Sequence, residues 1–130
     1  MAEISRDAAC YALEVLTGIS GQCKSGVISK MLSRSVFLGK RVLAHDTDAA
    51  DELYDCIDNE DDSFSIMQEE TESRKEKAMF DCIIYAAAIL VRYAYEEDNR
   101  KYFPEPIELV GESTVDALKC AVSEFYGLSD

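Results

Sequence analysis

Between Asp46 and Glu72 the chain places twelve carboxylates and no lysine or arginine. Carboxylates at that density can coordinate a hard cation, work in pairs as general acid and base, or meet a cationic surface. A calcium loop beginning at Asp58 would put Asp58, Glu60 and Asp62 at its first, third and fifth positions and Glu69 at its twelfth. Its sixth position, where the sharp turn needs glycine, is Ser63, and its eighth, normally a packing aliphatic, is Ser65. The register fails at its turn, so calcium binding is the weaker reading and no metal ligands are assigned. The paired carboxylates have no recognisable acid–base partner motif and no phosphate-cradling glycine loop beside them, so they define no reaction. No catalytic residue and no cofactor is expected, and the chain does not read as an enzyme.

The other reactive side chains are sparse. Cys10, Cys23, Cys56, Cys82 and Cys120 are scattered and contain no C-x-x-C pair, which excludes the usual zinc and redox spacings. Most have apolar neighbours at helical spacing, where reduced cysteine behaves as a small core hydrophobe. His45 is the sole histidine and has no cysteine near it in sequence. Recognition of a partner is left for the acidic segment, and the candidate contact residues are Asp48, Asp51, Glu52, Asp55, Asp58, Glu60, Asp61 and Asp62. The distribution of charge favours this over a merely solvated surface. Residues 1–45 hold six Lys or Arg against three Asp or Glu, whereas residues 46–130 hold seven against twenty-three, and the whole chain carries −13. Such a field repels nucleic acid and attracts a basic protein surface, such as the cleft in which a nuclease holds its substrate.

These residues must be positioned by helices. Ala8, Tyr11, Ala12, Val15, Leu16 and Ile19 recur at three- and four-residue steps until Gly18 and Gly21 interrupt them. From Lys24 to Leu43 a similar pattern predicts one or two helices, their division obscured by Gly26 and Gly39. HDTDAADELYDCID offers Asp46, Thr47 or Asp48 as an N-cap and sets Ala49, Ala50, Leu53, Cys56 and Ile57 on one face, with most carboxylates off it. AMFDCIIYAAAILVRYAYEED is apolar almost all round and predicts a buried central helix over about residues 74–98. The prolines of YFPEPIEL, Pro104 and Pro106, predict an extended connector, and Ser113 is placed to cap a last helix with Val115, Leu118, Val122 and Phe125 inside.

No stretch alternates apolar and polar residues as a strand would, so the fold class is all-α: a single irregular helical bundle, residues 1–130 forming one domain. The charges at Glu3, Arg6, Asp7 and Glu14 interrupt any signal-peptide core, and the apolar run Cys82–Val91 is about half a membrane span. Cytoplasmic residence without membrane contact is the expectation.

Two stretches carry a family resemblance, LYDCIDNED at residues 53–61 and AYEEDNRKYFPEPIELVGE at residues 94–112. Their motifs, L-Y-D-x-I-D-x-E-D and A-Y followed by P-x-P-I-E-x-V, resemble those of the small helical immunity proteins of bacterial polymorphic-toxin systems, immunity family six, which includes proteins paired with contact-dependent growth-inhibition toxins. The resemblance spans about residues 45–115, and the first 45 residues show no matching motif. It implies a non-catalytic protein that binds and neutralises a cognate toxin domain inside the producing bacterium. Carried onto this chain, the motif positions are Leu53, Tyr54, Asp55, Ile57, Asp58, Glu60 and Asp61. A cytosolic inhibitor points in turn to a cytosol-acting toxin, most simply a nuclease. The alternative is a helical interaction module for another basic protein. The oligomeric state is not legible.

Overall fold

The computed structural model describes residues 4–21, 26–58, 74–99 and 101–127. All regular structure among them is helical: α1 (Arg6–Ser20), α2 (Gly26–Leu43), α3 (Thr47–Asp58), α4 (Arg74–Glu97), α5 (Glu105–Glu108) and α6 (Glu112–Gly127). The expected all-α bundle around one central helix is what the chain forms. The calcium register lies, apart from Asp58 itself, outside the described residues. Among the described residues no cluster of three metal-ligating side chains occurs.

α1 starts where Ser5 accepts a hydrogen bond from Ala8 N–H (3.1 Å), satisfying one of the unpaired donors of the first turn. Its buried stripe is Ala9, Ala12, Val15, Leu16 and Ile19. α2 is one helix and runs through Gly39. A Cβ there would lie 3.0 Å from Leu13 Cδ1 and 3.1 Å from Leu90 Cδ1, so the glycine lets α2 approach α1 and α4 closely. α2 ends in a tight motif: Asp46 N–H reaches Arg41 O and His45 N–H reaches Val42 O, both at 3.0 Å, with His45 itself left-handed (φ 67°) where glycine or asparagine is usual. The next helix begins at once.

α4 packs against every other helix, which is why it is apolar around its circumference. Cys82, Ile83, Ala86, Ala87, Ile89, Leu90 and Val91 have no exposed surface. Each of the large aliphatics among them contributes about 1.5–3 kcal/mol by leaving water. The stretch Lys77–Glu97 is long and apolar enough to cross a bilayer, but 72% of its apolar window is buried within the bundle.

Three expectations are corrected. The connector after α4 is not extended throughout. Pro104 (ψ 147°) leads into the helical turn α5, because a proline in the first turn lacks only an N–H that would be unpaired there anyway. α6 is capped two residues earlier than Ser113, at Gly111. Gly111 O accepts from Val115 N–H, and the Thr114 hydroxyl accepts from Gly111 N–H at 3.2 Å, so Thr114 supplies the reciprocal bond of a capping box. The cysteines are not uniformly core: Cys56 and Cys82 are buried, Cys10 is half-buried and Cys120 is exposed, while Cys23 lies outside the described residues. Burial pushes the Cys82 thiol up to about 12, which leaves it inert at neutral pH.

Candidate partner-binding surface

α3 is built from a single cap outward. Asp46 Oδ1 accepts from the N–H groups of Asp48 (3.1 Å) and Ala49 (3.3 Å), while Asp46 Oδ2 takes Arg41 Nε at 2.7 Å. Arg41, followed by these backbone donors, holds the Asp46 carboxyl below its ordinary range. Ala49, Ala50, Leu53 and Cys56 then face the core, and Asp48, Asp51, Glu52 and Asp55 face solvent. Asp58 is the last residue of α3. Its side chain lies outside the described residues, as do Glu60, Asp61 and Asp62.

Asp51 is more than a surface charge. The Tyr95 hydroxyl, on a ring only 2% exposed, donates to Asp51 Oδ1 at 2.8 Å and ties α3 to α4. A buried phenol needs such an acceptor, so Asp51 serves the fold and the acidic face together.

The structure adds two carboxylates that the sequence reading missed. The end of α4 brings Glu97 and Asp98 across from the start of α3, where with Val42, His45, Asp46, Thr47 and Ala94 they line a cleft of about 210 Å³. Glu97 Oε1 accepts from the Tyr93 hydroxyl (2.6 Å) and Oε2 lies 2.8 Å from His45 Nδ1. Arg6 Nη1 donates in turn to the Tyr93 oxygen (2.9 Å), and Arg6 Nη2 to Leu43 O (3.2 Å). The Tyr93 hydroxyl first and His45 second hold the Glu97 carboxyl below its ordinary range, whereas burial pushes the Tyr93 hydroxyl up. The signal for Glu97 and Asp98 was the triplet EED that ends the central apolar run, but only the tertiary fold sets it beside α3.

The connector after α4 is gripped from beneath. Arg92, 2% exposed, donates from Nη1 to Ile107 O and Glu108 O, each at 3.1 Å, and its guanidinium carbon sits 4.2 Å from the Phe103 ring centroid. Its buried Nε has no hydrogen-bond acceptor and lies 3.5 Å from Glu96 Oε1, which itself accepts from Ile4 N–H at 2.9 Å. Tyr95 stacks on Phe103 at 6.4 Å. The A-Y and P-x-P-I-E-x-V positions are thus largely structural: Tyr95, Ile107 and Val110 are buried and fasten the connector to α4. Tyr95 thus joins the second motif to α3, its hydroxyl on Asp51 and its ring on Phe103.

A family model described as immunity protein Imm6 matches residues 8–127. The chain belongs to the Imm6 immunity protein family. No curated protein and no solved structure matches it. The match takes in most of α1 and all of α2, for which the sequence offered no motif, and membership implies binding of a cognate toxin. On this immunity protein α2 carries only cations and α3 only carboxylates: Lys30, Arg34, Lys40 and Arg41 are exposed on α2, with Arg41 5.6 Å from the Phe37 ring, while Asp48, Asp51, Glu52 and Asp55 are exposed on α3. Lys24 lies outside the described residues.

Proposed function

We propose that this immunity protein neutralises a basic, cytosol-acting toxin domain, most simply a nuclease, by covering its cationic cleft with the acidic face of α3 and the adjoining end of α4, in the cytoplasm of the bacterium that makes it. The observation that carries the reading is the one-sidedness of α3. Asp48, Asp51, Glu52 and Asp55 are all solvent-facing on a helix whose other side is fully committed to the core. Exposed carboxylates raise the rate at which a basic surface arrives, by roughly 10- to 10³-fold at low salt. A site cut to fit a nucleic-acid backbone offers the cations that this segment lacks.

The test uses Glu52→Lys with Asp55→Lys, leaving Asp51 in place because Tyr95 depends on it. The probe is the carboxy-terminal domain of the polypeptide encoded immediately upstream of this gene. Both reversals lie off the buried stripe, so helix content and melting should match the parent, while association at about 50 mM salt should slow on the order of tenfold and protection of toxin-expressing cells should fall. Asp116→Lys with Glu124→Lys on α6 changes net charge equally and should slow association far less. Equal slowing by both pairs would mean that net charge alone acts, and full protection by the α3 variant would reduce the acidic face to a solvated surface.

A further inference from the structure

We infer that the connector between α4 and α6 is a second contact surface, on which Tyr102 and Leu109 anchor the toxin domain that the acidic face draws in. The inference rests on the toxin-binding reading above and adds where affinity, as distinct from approach, resides. Tyr102 is 80% exposed and Leu109 75%, more than any other large apolar side chain among the described residues. Their neighbours in the connector point the other way. Phe103 is half-buried under Arg92, and Ile107 and Val110 are buried.

The connector that holds these two side chains in water is unusually well fixed. Arg92 donates to two of its carbonyls from inside the core, Phe103 packs on both that guanidinium and Tyr95, and the turn itself is closed by Ile107 N–H and Glu108 N–H on Pro104 O (2.9 and 2.8 Å). A pre-ordered segment with an exposed aromatic loses little conformational freedom on binding, and tyrosine is among the residues that carry most of the energy at interfaces. Rim charges act mainly on the association rate, whereas desolvated apolar anchors act mainly on dissociation.

Charge selects the occupant. Inside the core Tyr95 links the connector to α3, its hydroxyl on Asp51 and its ring stacked on Phe103, next to Tyr102 in sequence. A second copy seated there would bring two chains of net charge −13 together against their mutual repulsion, whereas a basic domain would be attracted to this chain. Lys101 and Glu108, both exposed beside the anchors, supply the polar rim.

The experiment is a kinetic binding measurement on the full chain with the immobilised upstream-encoded domain at low and high salt, comparing Tyr102→Ala with Leu109→Ala against Glu52→Lys with Asp55→Lys. The connector pair should speed dissociation on the order of 100-fold and leave association within about threefold, while the acidic pair should do the reverse. Circular dichroism and melting serve as fold controls, and Leu109→Gln replaces Leu109→Ala if the first pair melts early. Parent-like dissociation of the connector pair, with the acidic pair impaired, overturns the connector proposal and leaves the acidic reading standing. Fast dissociation of the connector pair with an unimpaired acidic pair supports the anchors and removes the acidic reading. A parent that fails to bind the domain refutes both, and a parent dimer dissolved by the connector pair assigns the surface to a second copy and overturns the proposal.

Discussion

Arg92→Met tests what holds the connector in place. Methionine fills much of the arginine's volume but donates nothing. Ile107 O is then left buried without its Arg92 donor, and Glu108 O loses one in a part-buried setting. Ile107 O still accepts from Val110 N–H (3.1 Å), so what is lost is a hydrogen bond to a charged group, worth about 1.5–3 kcal/mol, and loss of a desolvated guanidinium over an aromatic face costs about 1–2 more. Against this, the variant avoids desolvating a guanidinium whose Nε makes no hydrogen bond, a penalty of several kcal/mol that the present contacts must offset. The balance still favours arginine, because only one member of the buried set is replaced. Glu96 loses its cation while continuing to hold Ile4 N–H. A destabilisation of about 3 kcal/mol follows, seen as a melting point roughly 10 °C lower. Urea unfolding gives the number, and hydrogen exchange gives the place: the amides of Ile107, Glu108 and Val110 should lose protection before those of α4. A change below about 0.5 kcal/mol, or uniform loss of protection across the bundle, would show that Phe103, Ile107 and Val110 hold the connector by packing alone.

The Glu97 carboxyl titrates below its ordinary range, so its contribution to stability is present above about pH 4.3 and disappears as the pH falls through its folded-state value. In urea unfolding from pH 7 to pH 3, Glu97→Gln should therefore be less stable than the parent at neutral pH and converge with it in acid, and a gap that stays constant to pH 3 would refute the Tyr93 and His45 account. Under native conditions iodoacetamide should label Cys120 first and Cys10 more slowly, with Cys56 and Cys82 reacting only on unfolding. Native labelling of Cys82 as fast as Cys120, read by peptide mass, would contradict its burial.

The helices that bury a stripe were legible because periodicity reports burial directly. Val15, Leu16 and Ile19 on α1, and Ala49, Ala50 and Leu53 on α3, lie inside as their spacing requires. Gly39 could not be resolved from sequence, since a mid-helix glycine reads as a break unless the neighbouring Leu13 and Leu90 are known to press on it. Pro104 and Pro106 misled for a related reason: proline excludes the interior of a helix but suits its first turn, and the choice depends on whether Arg92 is present to receive the carbonyls that follow. In the site, Asp48, Glu52 and Asp55 were placed correctly off the core face, yet nothing local distinguishes them from Asp51. Only the arrival of Tyr95 from 44 residues away makes Asp51 a member of the fold. Glu97 and Asp98 were overlooked by the same logic, as ends of helices acquire neighbours only through packing.

Those long-range contacts explain why the acidic face and the connector can have different tasks. The face has to remain in water, because carboxylates buried without partners would each cost several kcal/mol. In water they act over a distance of only about 8 Å at physiological salt, enough to orient an approaching basic domain and too little to hold it. A lasting hold needs apolar area that desolvates completely, and such area is tolerated outside the core only if the backbone beneath it cannot collapse inward. Arg92 and Tyr95 both pack on Phe103 and meet that requirement, the one by fixing the carbonyls of α5 and the other by joining the connector to Asp51. An arginine buried with an unbonded Nε is a poor way to stabilise a bundle, and a sound way to keep Tyr102 and Leu109 facing outward.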